Sequence, residues 1–248
     1  MSLTTIILPY YKKSQFIDQT IQSILNQTNQ KFEIIIVDDE LSDQSSKIMN
    51  KLKNIDQRIN IIINDKNIGA GLSRNKAIKT AKGDYIAFCD CDDLWDKFKL
   101  EKQIEFMNKK NIDFCFTAYN IIDENGKIVG NRAADFDITF KKLVQSCDIG
   151  LSTVIIRKNL FDKFKFFFPN LKTKEDYVLW LNLSKNGIKM FGIKENLVSW
   201  RKSKNSLSSS SVQKILDGYK VYRYYLKYNF LKSIRCLFVL SLNFIFKK

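Results

Sequence analysis

Phe32-Glu33-Ile34-Ile35-Ile36-Val37-Asp38-Asp39 (FEIIIVDD) is an unbroken apolar run closed by two acids. A strand with one wet face alternates apolar and polar residues. A run without that alternation reads as a strand covered on both faces, the kind found in parallel sheets. Working outward, residues 4–8, 59–63 and 85–89 are short apolar runs of the same kind. Helical stretches separate them. Residues 15–26 carry Phe16, Ile17, Ile21, Ile24 and Leu25 at helical spacing, with Ser14 as the expected N-cap, and residues 45–53 and 71–81 read as helices too. This alternation predicts an α/β domain: a Rossmann-like, mostly parallel central sheet flanked by helices.

Farther along, the pattern predicts a helix at 97–109, a strand at 114–119 and a hairpin turn at 123–126. It also predicts a helix near 140–146, a strand near 153–157 and a helix near 175–186. Residues 202–211 (KSKNSLSSSS) are polar and loop-like, able to order over a ligand. The expected organisation is one domain over 1–210, in halves 1–120 and 121–210, followed by a helical C-terminal extension over 211–248.

Composition removes several chemistries. The chain of 248 residues has no histidine, which excludes Ser-His-Asp triads, Cys-His dyads and His-ligated zinc. Five cysteines occur without a CxxC pair, the pattern of a reduced cytosolic compartment. Formal net charge is +15, which favours anionic partners such as lipid head groups, phosphorylated substrates or nucleic acid. The same lysine excess also fits AT-rich coding bias. The apolar run at residues 3–8 stops at Pro9, too short for a signal peptide.

Four segments follow consecutive predicted strands and so fall at one edge of the sheet, where open α/β sheets bind ligands. Pro9-Tyr10-Tyr11 offers a ring to stack on a base, or ordinary packing. Asp38-Asp39 suits hydrogen bonding to a base or ribose, or a helix-initiating turn. Asn67-Ile68-Gly69 through Arg74-Asn75 opens a helix whose N-terminal amides suit a diphosphate. It lacks the third glycine of a dinucleotide fingerprint, and no GxxxxGK[ST] exists. Asp90-Cys91-Asp92-Asp93 clusters three carboxylates that would repel one another unless a cation, Mg²⁺ or Mn²⁺, sits there. Its alternative is a solvated capping turn. Cys89 reads as buried filler rather than a zinc ligand.

In order and spacing these segments, with Gly83-Asp84-Tyr85-Ile86 and Glu175-Asp176-Tyr177-Val178-Leu179-Trp180, resemble a family 2 glycosyltransferase of the GT-A fold across about residues 3–200. The resemblance implies inverting transfer of a sugar from a nucleotide-sugar donor, UDP by family habit. The acceptor would be a hydroxyl of a glycan or lipid-linked molecule in bacterial surface polysaccharide or lipopolysaccharide synthesis. By the same resemblance, Pro9, Tyr11, Asp38, Asp39, Asn67, Gly69, Arg74, Asp90, Cys91, Asp92 and Arg201 would bind the nucleotide sugar. Asp92 with Asp90 would hold Mn²⁺ or Mg²⁺, and Asp176 would be the general base. Relatives carry the counterpart of Trp200-Arg201 on a loop that closes over the diphosphate, and Glu40-Leu41 departs from the usual Gly-Ser.

The tail run at 230–246 is interrupted by Lys232 and Arg235, and its uninterrupted part is too short to span a bilayer. It is expected to lie on an anionic membrane, with Lys247 and Lys248 at head groups, and so to place the protein peripherally on the inner face of the plasma membrane. The alternative is packing on its own domain or in a homodimer. Two other functions stay open. A sugar-nucleotide nucleotidyltransferase would need a glycine-rich loop after the first strand, which Pro9–Lys13 lacks. A catalytically inactive binding protein, basic or nucleotide-binding, is the other, although intact Asp92 and Asp176 argue against degeneracy. Nucleic acid is not an expected partner.

Overall fold

The computed structural model describes residues 2–203 and 210–246. Residues 204–209 of the expected loop, and Lys247 and Lys248 of the tail, lie outside the described residues.

In chain order the elements are β1 (Thr4–Tyr10), α1 (Ile17–Leu25), β2 (Phe32–Asp38), α2 (Asp43–Lys53), β3 (Ile59–Ile63), α3 (Ala70–Thr80) and β4 (Tyr85–Phe88). Next come β5 (Leu94–Trp95), α4 (Lys99–Lys110), β6 (Phe114–Ile122), β7 (Ile128–Arg132), β8 (Asp137–Ile138) and α5 (Phe140–Gln145). A 3₁₀ turn (Leu151–Thr153) leads into β9 (Ile155–Arg157), α6 (Asn159–Phe164), α7 (Glu175–Lys185) and β10 (Met190–Arg201). The C-terminal extension is α8 (Ser211–Lys220), a π-helical turn (Val221–Tyr225) and α9 (Phe230–Phe246).

One sheet runs in the order β3-β2-β1-β4-β9-β6-β10-β5, with β7 on β6 and β8 on β10. Strands β3, β2, β1 and β4 are all parallel. The second half is mixed, because β9 runs antiparallel to both β4 and β6 whereas β6 and β10 are parallel. The chain leaves β1 for β2 on one side and reaches β4 on the other, so the order reverses at β1. A crevice opens there at the strands' C-terminal ends. β6 runs through residue 120, so the two expected halves share a strand rather than a linker.

β2 is buried throughout, as its apolar run requires. Ile35 and Val37 pack on one face with Ile7, whereas Ile34 and Ile36 pack on the other with Ile6 and Leu8. Truncating any of these to alanine costs about 2–5 kcal/mol. Gly83 lies where β4 meets β1: a Cβ there would sit 2.5 Å from the Thr5 backbone nitrogen. Trp180 of α7 is fully buried and meets Phe88, Phe114 and Phe168 at ring separations of 5.0–6.3 Å. That aromatic anchor fixes α7 and hence the direction of its first turn.

Several expectations need correction. Ser14 does not cap α1; the N-cap position is Phe16, without a side-chain cap. α2 begins at Asp43 rather than Ser45 and is capped by Ser42, in a reciprocal capping box with Ser45. The strand at β10, the longest in the sheet, is absent from the sequence reading. Its register slips twice, at Ile193/Asn196 and Asn196/Val198, and these bulges put its apolar residues out of phase with a period of two. The tail bends at Lys227 (φ +57°) rather than forming one helix. Part of it joins the main core: Val221, Tyr222, Leu226 and Leu240 are buried there.

Candidate active site

A cleft of ≈ 1240 Å³ opens at the C-terminal edge of β1, β2 and β4 and is closed on its far side by the loop before α7. That volume admits two substrates, since a drug-sized ligand pocket spans about 300–1,000 Å³. Pro9, Tyr11, Asp39, Asn67, Gly69, Arg74, Asp90, Cys91, Asp92, Asp176 and Arg201 all line it. Asp38 does not.

Asp38 is consumed locally. Its carboxylate accepts from Glu40 N–H (3.0 Å) and Ser45 Oγ–H (2.7 Å), so it organises the turn into α2. Asp39 faces the other way and holds the loop after β3. Ile68 N–H and Gly69 N–H donate to its two oxygens at 2.8 Å each, and Asn64 Nδ2 donates at 2.8 Å. Asn67 Nδ2 donates to the Asp39 carbonyl at 3.0 Å. Gly69, at φ +85°, turns the chain into α3, a conformation that L side chains adopt only under strain. Glu40, at the departure from Gly-Ser, accepts from Lys12 N–H at 2.8 Å and joins the loops after β1 and β2. The strain of this turn falls on Leu41, at φ +61°.

The three carboxylates after β4 do not share one cation. Asp90 pairs with Arg74 at 2.7 Å and Asp92 pairs with Lys13 at 2.6 Å. Asp93 is turned into the protein, where it accepts from Ser152 Oγ–H and from Arg201 N–H (2.9 Å). Burial and the neighbouring Asp92 and Asp90 push its carboxyl well above the usual range. Burial also raises Asp92, against the opposing charge of Lys13. The Cys91 thiol is raised by burial and donates to the Pro9 carbonyl, so it serves packing rather than metal binding.

Each ion pair engages one oxygen of Asp90 and one of Asp92. Two carboxylates of one turn are a donor set that Mg²⁺ and Mn²⁺ take, with phosphate and water completing the shell. The donor set therefore fits a divalent ion, provided Lys13 yields its place on Asp92.

Arg201 does not stand on a closing loop. It is the last residue of β10, and its guanidinium is buried over the Phe16 ring, 4.5 Å from the centroid. It donates to the carbonyls of Asp92 (2.9 Å) and Glu124 (3.0 Å) and to Gln19 Oε1 (3.1 Å). These bonds make it a pin that holds the Asp90–Asp93 turn.

Glu175 and Asp176 open α7 across the cleft. Both line it. Glu175 is drawn to Arg74 (2.7 Å), so one buried guanidinium bridges Asp90 and Glu175. Burial raises Glu175 to about 7, with Arg74 opposing and Asp176 adding to the rise. Asp176 accepts from Tyr177 N–H through Oδ1 at 2.7 Å, and burial raises its carboxyl above the usual range despite Arg74 and Lys174. The sequence reading missed Lys13, Asn64 and Ser152. Lys13 sits two residues beyond Tyr11 in a segment read for its rings and its lack of glycine, and Ser152 carries no signal in its own surroundings.

Residues 5–167 match the sequence profile described as glycosyl transferase family 2. The chain belongs to that family. It is 34% identical over 247 residues to the putative teichuronic acid biosynthesis glycosyltransferase TuaG of Bacillus subtilis, covering 99% of this chain and 97% of that one. It is 38% identical over 214 residues to WfgD of Escherichia coli, a UDP-Glc:α-D-GlcNAc-diphosphoundecaprenol β-1,3-glucosyltransferase, covering 86% of this chain and 82% of that one. The fold matches S. aureus TarS residues 1–349, solved with UDP-GlcNAc, at a TM-score of 0.76 and 23% identity, covering 98% of this chain and 73% of that one. The protein is a glycosyltransferase with the GT-A fold, as the sequence resemblance implied.

Proposed function

We propose that this glycosyltransferase moves a sugar from a UDP-sugar to a hydroxyl of a glycan or lipid-linked acceptor, with inversion and with Mn²⁺ or Mg²⁺, in assembling a bacterial surface polysaccharide or lipopolysaccharide. The observation that carries this reading is the Arg74 bridge. A single guanidinium bonded to Asp90 and Glu175 sets the two acidic motifs one side chain apart across the cleft.

On this reading Tyr11, 40% exposed, stacks on the base, and the loop held by Asp39, Asn67 and Gly69 frames it. Asp90 and Asp92 hold the metal, which when bound neutralises charge on the departing diphosphate. Arg74 keeps Asp90 in place. The acceptor oxygen attacks the anomeric carbon from the face opposite the diphosphate, and the bond from that carbon to the diphosphate oxygen breaks with its electron pair. The acceptor proton passes to Asp176, whose raised proton affinity suits a base better than an ordinary Asp. The names of the relatives support UDP as the nucleotide and a lipid-diphosphate acceptor.

The membrane-side reading is carried by α8 and α9. Val212, Ile215 and Leu216 form one exposed apolar face of α8, and Tyr219 on that same face meets Phe230 of α9 at 6.4 Å. Phe230, Leu231, Ile234 and Phe238 continue it at helical spacing, flanked by Lys227, Lys232 and Arg235. No helix among the described residues is long and apolar enough to cross a membrane. Apolar residues flanked by cations match a peripheral contact with anionic lipid on the inner face of the plasma membrane.

The test of the catalytic reading is a thermal-shift panel of nucleoside diphosphates with and without Mn²⁺. UDP with Mn²⁺ is expected to raise Tm above either alone, since a ligand bound only by the native state adds stability. A panel in which no nucleotide shifts Tm overturns it.

A further inference from the structure

We propose that Lys13 is a built-in rival of the divalent cation at Asp92, drawn off that carboxylate by the donor's diphosphate, so that metal and nucleotide bind as a pair. This rests on the proposed transferase reading and adds to it the residue that couples the two ligands.

The backbone fixes where Lys13 stands. β1 ends at Tyr10 and the chain turns at Lys12, whose φ of +51° is a left-handed conformation that costs an L residue free energy. Glu40 holds that turn by accepting from Lys12 N–H at 2.8 Å. On the other side the Lys13 carbonyl accepts from Phe16 N–H (3.0 Å) and Ile17 N–H (3.1 Å) at the entry to α1. From this fixed point Nζ reaches Asp92 Oδ2 at 2.6 Å and donates to Ser203 Oγ at 3.1 Å, and the two ionic side chains are largely shielded from water. Asp92 is pinned from behind. Its carbonyl accepts from Arg201 Nε at 2.9 Å, and the adjoining Asp93 is held by Ser152 and by Arg201 N–H. A cation that enters at Asp92 therefore meets the ammonium rather than pushing the carboxylate aside.

The cation on Asp90 is built differently. Arg74 is buried, bonded to Asp90 and Glu175 at 2.7 Å each, and lies 5.4 Å from the centroid of the Phe168 ring. A planar guanidinium held at both ends stays in place, whereas an ammonium on a four-carbon stem swings about its rotatable bonds. Of the two cations, Lys13 is the one that moves. An ammonium and a divalent ion on one carboxylate repel at a separation of a few Å, where little water screens them. Mn²⁺ alone must displace Lys13 while offering it nothing in return, since the hydroxyl of Ser203 carries no charge. UDP changes that balance. Lys13 lines the cleft, and a diphosphate there supplies anionic oxygens to which an ammonium binds as a point charge. Each ligand then improves the other's site beyond the direct bond between metal and phosphate, and by the same factor whichever binds first.

The test titrates Mn²⁺ into the full chain, with and without saturating UDP, and reads the free ion by electron paramagnetic resonance. Asp92→Asn supplies the blank for Mn²⁺ bound elsewhere. Lys13→Gln, and Lys13→Met as a second variant that keeps the apolar stem, should bind Mn²⁺ alone about tenfold more tightly than wild type. The factor by which UDP tightens Mn²⁺ should be about tenfold smaller in both than in wild type. Lys13→Arg, which keeps a cation beside Asp92, should leave Mn²⁺ alone as weak as in wild type. Lys12→Gln removes a neighbouring charge whose ammonium lies over the Tyr11 ring, 5.2 Å from the centroid, and should leave Mn²⁺ affinity within about twofold. Equal or weaker Mn²⁺ binding in both neutral Lys13 variants overturns the proposal. If those variants also lose UDP measured without metal, Lys13 is a donor ligand and not a rival of the cation. Tightening as large in Lys12→Gln overturns it too, because net charge alone then explains the effect. A wild type that binds UDP neither with nor without Mn²⁺ counts against the transferase reading. The comparison of Mn²⁺ alone between wild type and the Lys13 variants still decides the rivalry at Asp92.

Discussion

The two walls of the cleft partner their carboxylates differently. On the β-sheet wall nearly every carboxylate has a fixed partner: Asp39 has two backbone amides, Asp90 has Arg74, Asp92 has Lys13, and Asp93 has Ser152 and the Arg201 amide. On the α7 wall Glu175 shares Arg74 with Asp90, whereas Asp176, raised by burial as Asp92 and Asp93 are, is held by one short backbone bond. On the proposed reading, the partnered wall is organised in advance to hold the charged donor. On the same reading Asp176, raised and lining the cleft, is suited to take a proton. That reading places binding and proton transfer on different chain segments, so each can be perturbed alone.

The largest expected effect comes from breaking the α7 wall. Asp176→Asn should lower kcat by about 10²–10⁴-fold, the usual cost of removing a general base. A kcat within a few-fold of wild type would move the base elsewhere, with Glu175 the next residue to test.

Arg74→Ala breaks the link between the walls. It leaves Glu175 buried beside Asp176 without its cation, and stability should fall by about 3 kcal/mol in urea unfolding. The loss depends on pH with a definite sign. Glu175 holds its proton more tightly when folded, about 7 against an ordinary 4.5, so the native state binds more protons than the unfolded chain in that window. Its contribution is therefore greatest at low pH and is lost as pH rises through the window. Removing Arg74 raises the folded value further, so the variant's loss should grow with pH. A pH-independent loss would mean that Arg74 acts through packing alone.

The smallest effect sharpens the contrast without destroying it. The acid limb of kcat/KM should lie above the ordinary Asp range, because burial raises Asp176. Lys174 opposes that rise, so Lys174→Gln should move the limb to higher pH. A limb that stays in place would separate Lys174 from the base.

How much of this could be read in advance follows the same division. The β1–β4 half was legible because each parallel strand is an apolar run ending in a polar motif, and the topology then gathers those motifs at one edge. Within it, which oxygen meets which donor was not legible: the cation beside Asp92 proved to be Lys13, and Asp38 proved to serve its own turn. Sequence adjacency cannot show that Asp93 turns inward while Asp92 turns outward. The second half was harder because β10 is bulged and carries Lys194 and Glu195 mid-strand, which disguises its alternation. Missing β10 is also what left Arg201 on a supposed loop. Glu175-Asp176 was located, but the pairing of Glu175 with Arg74 joins residues 101 apart in sequence and leaves no local pattern.

The most direct test of the divided cleft is a titration of UDP with Mn²⁺ into Asp92→Asn and Asp176→Asn side by side. Asp92→Asn should lose the Mn²⁺-dependent part of UDP binding, whereas Asp176→Asn should bind UDP–Mn²⁺ as wild type does. Wild-type binding in Asp92→Asn, or loss of binding in Asp176→Asn, would contradict the assignment of donor and base to separate walls.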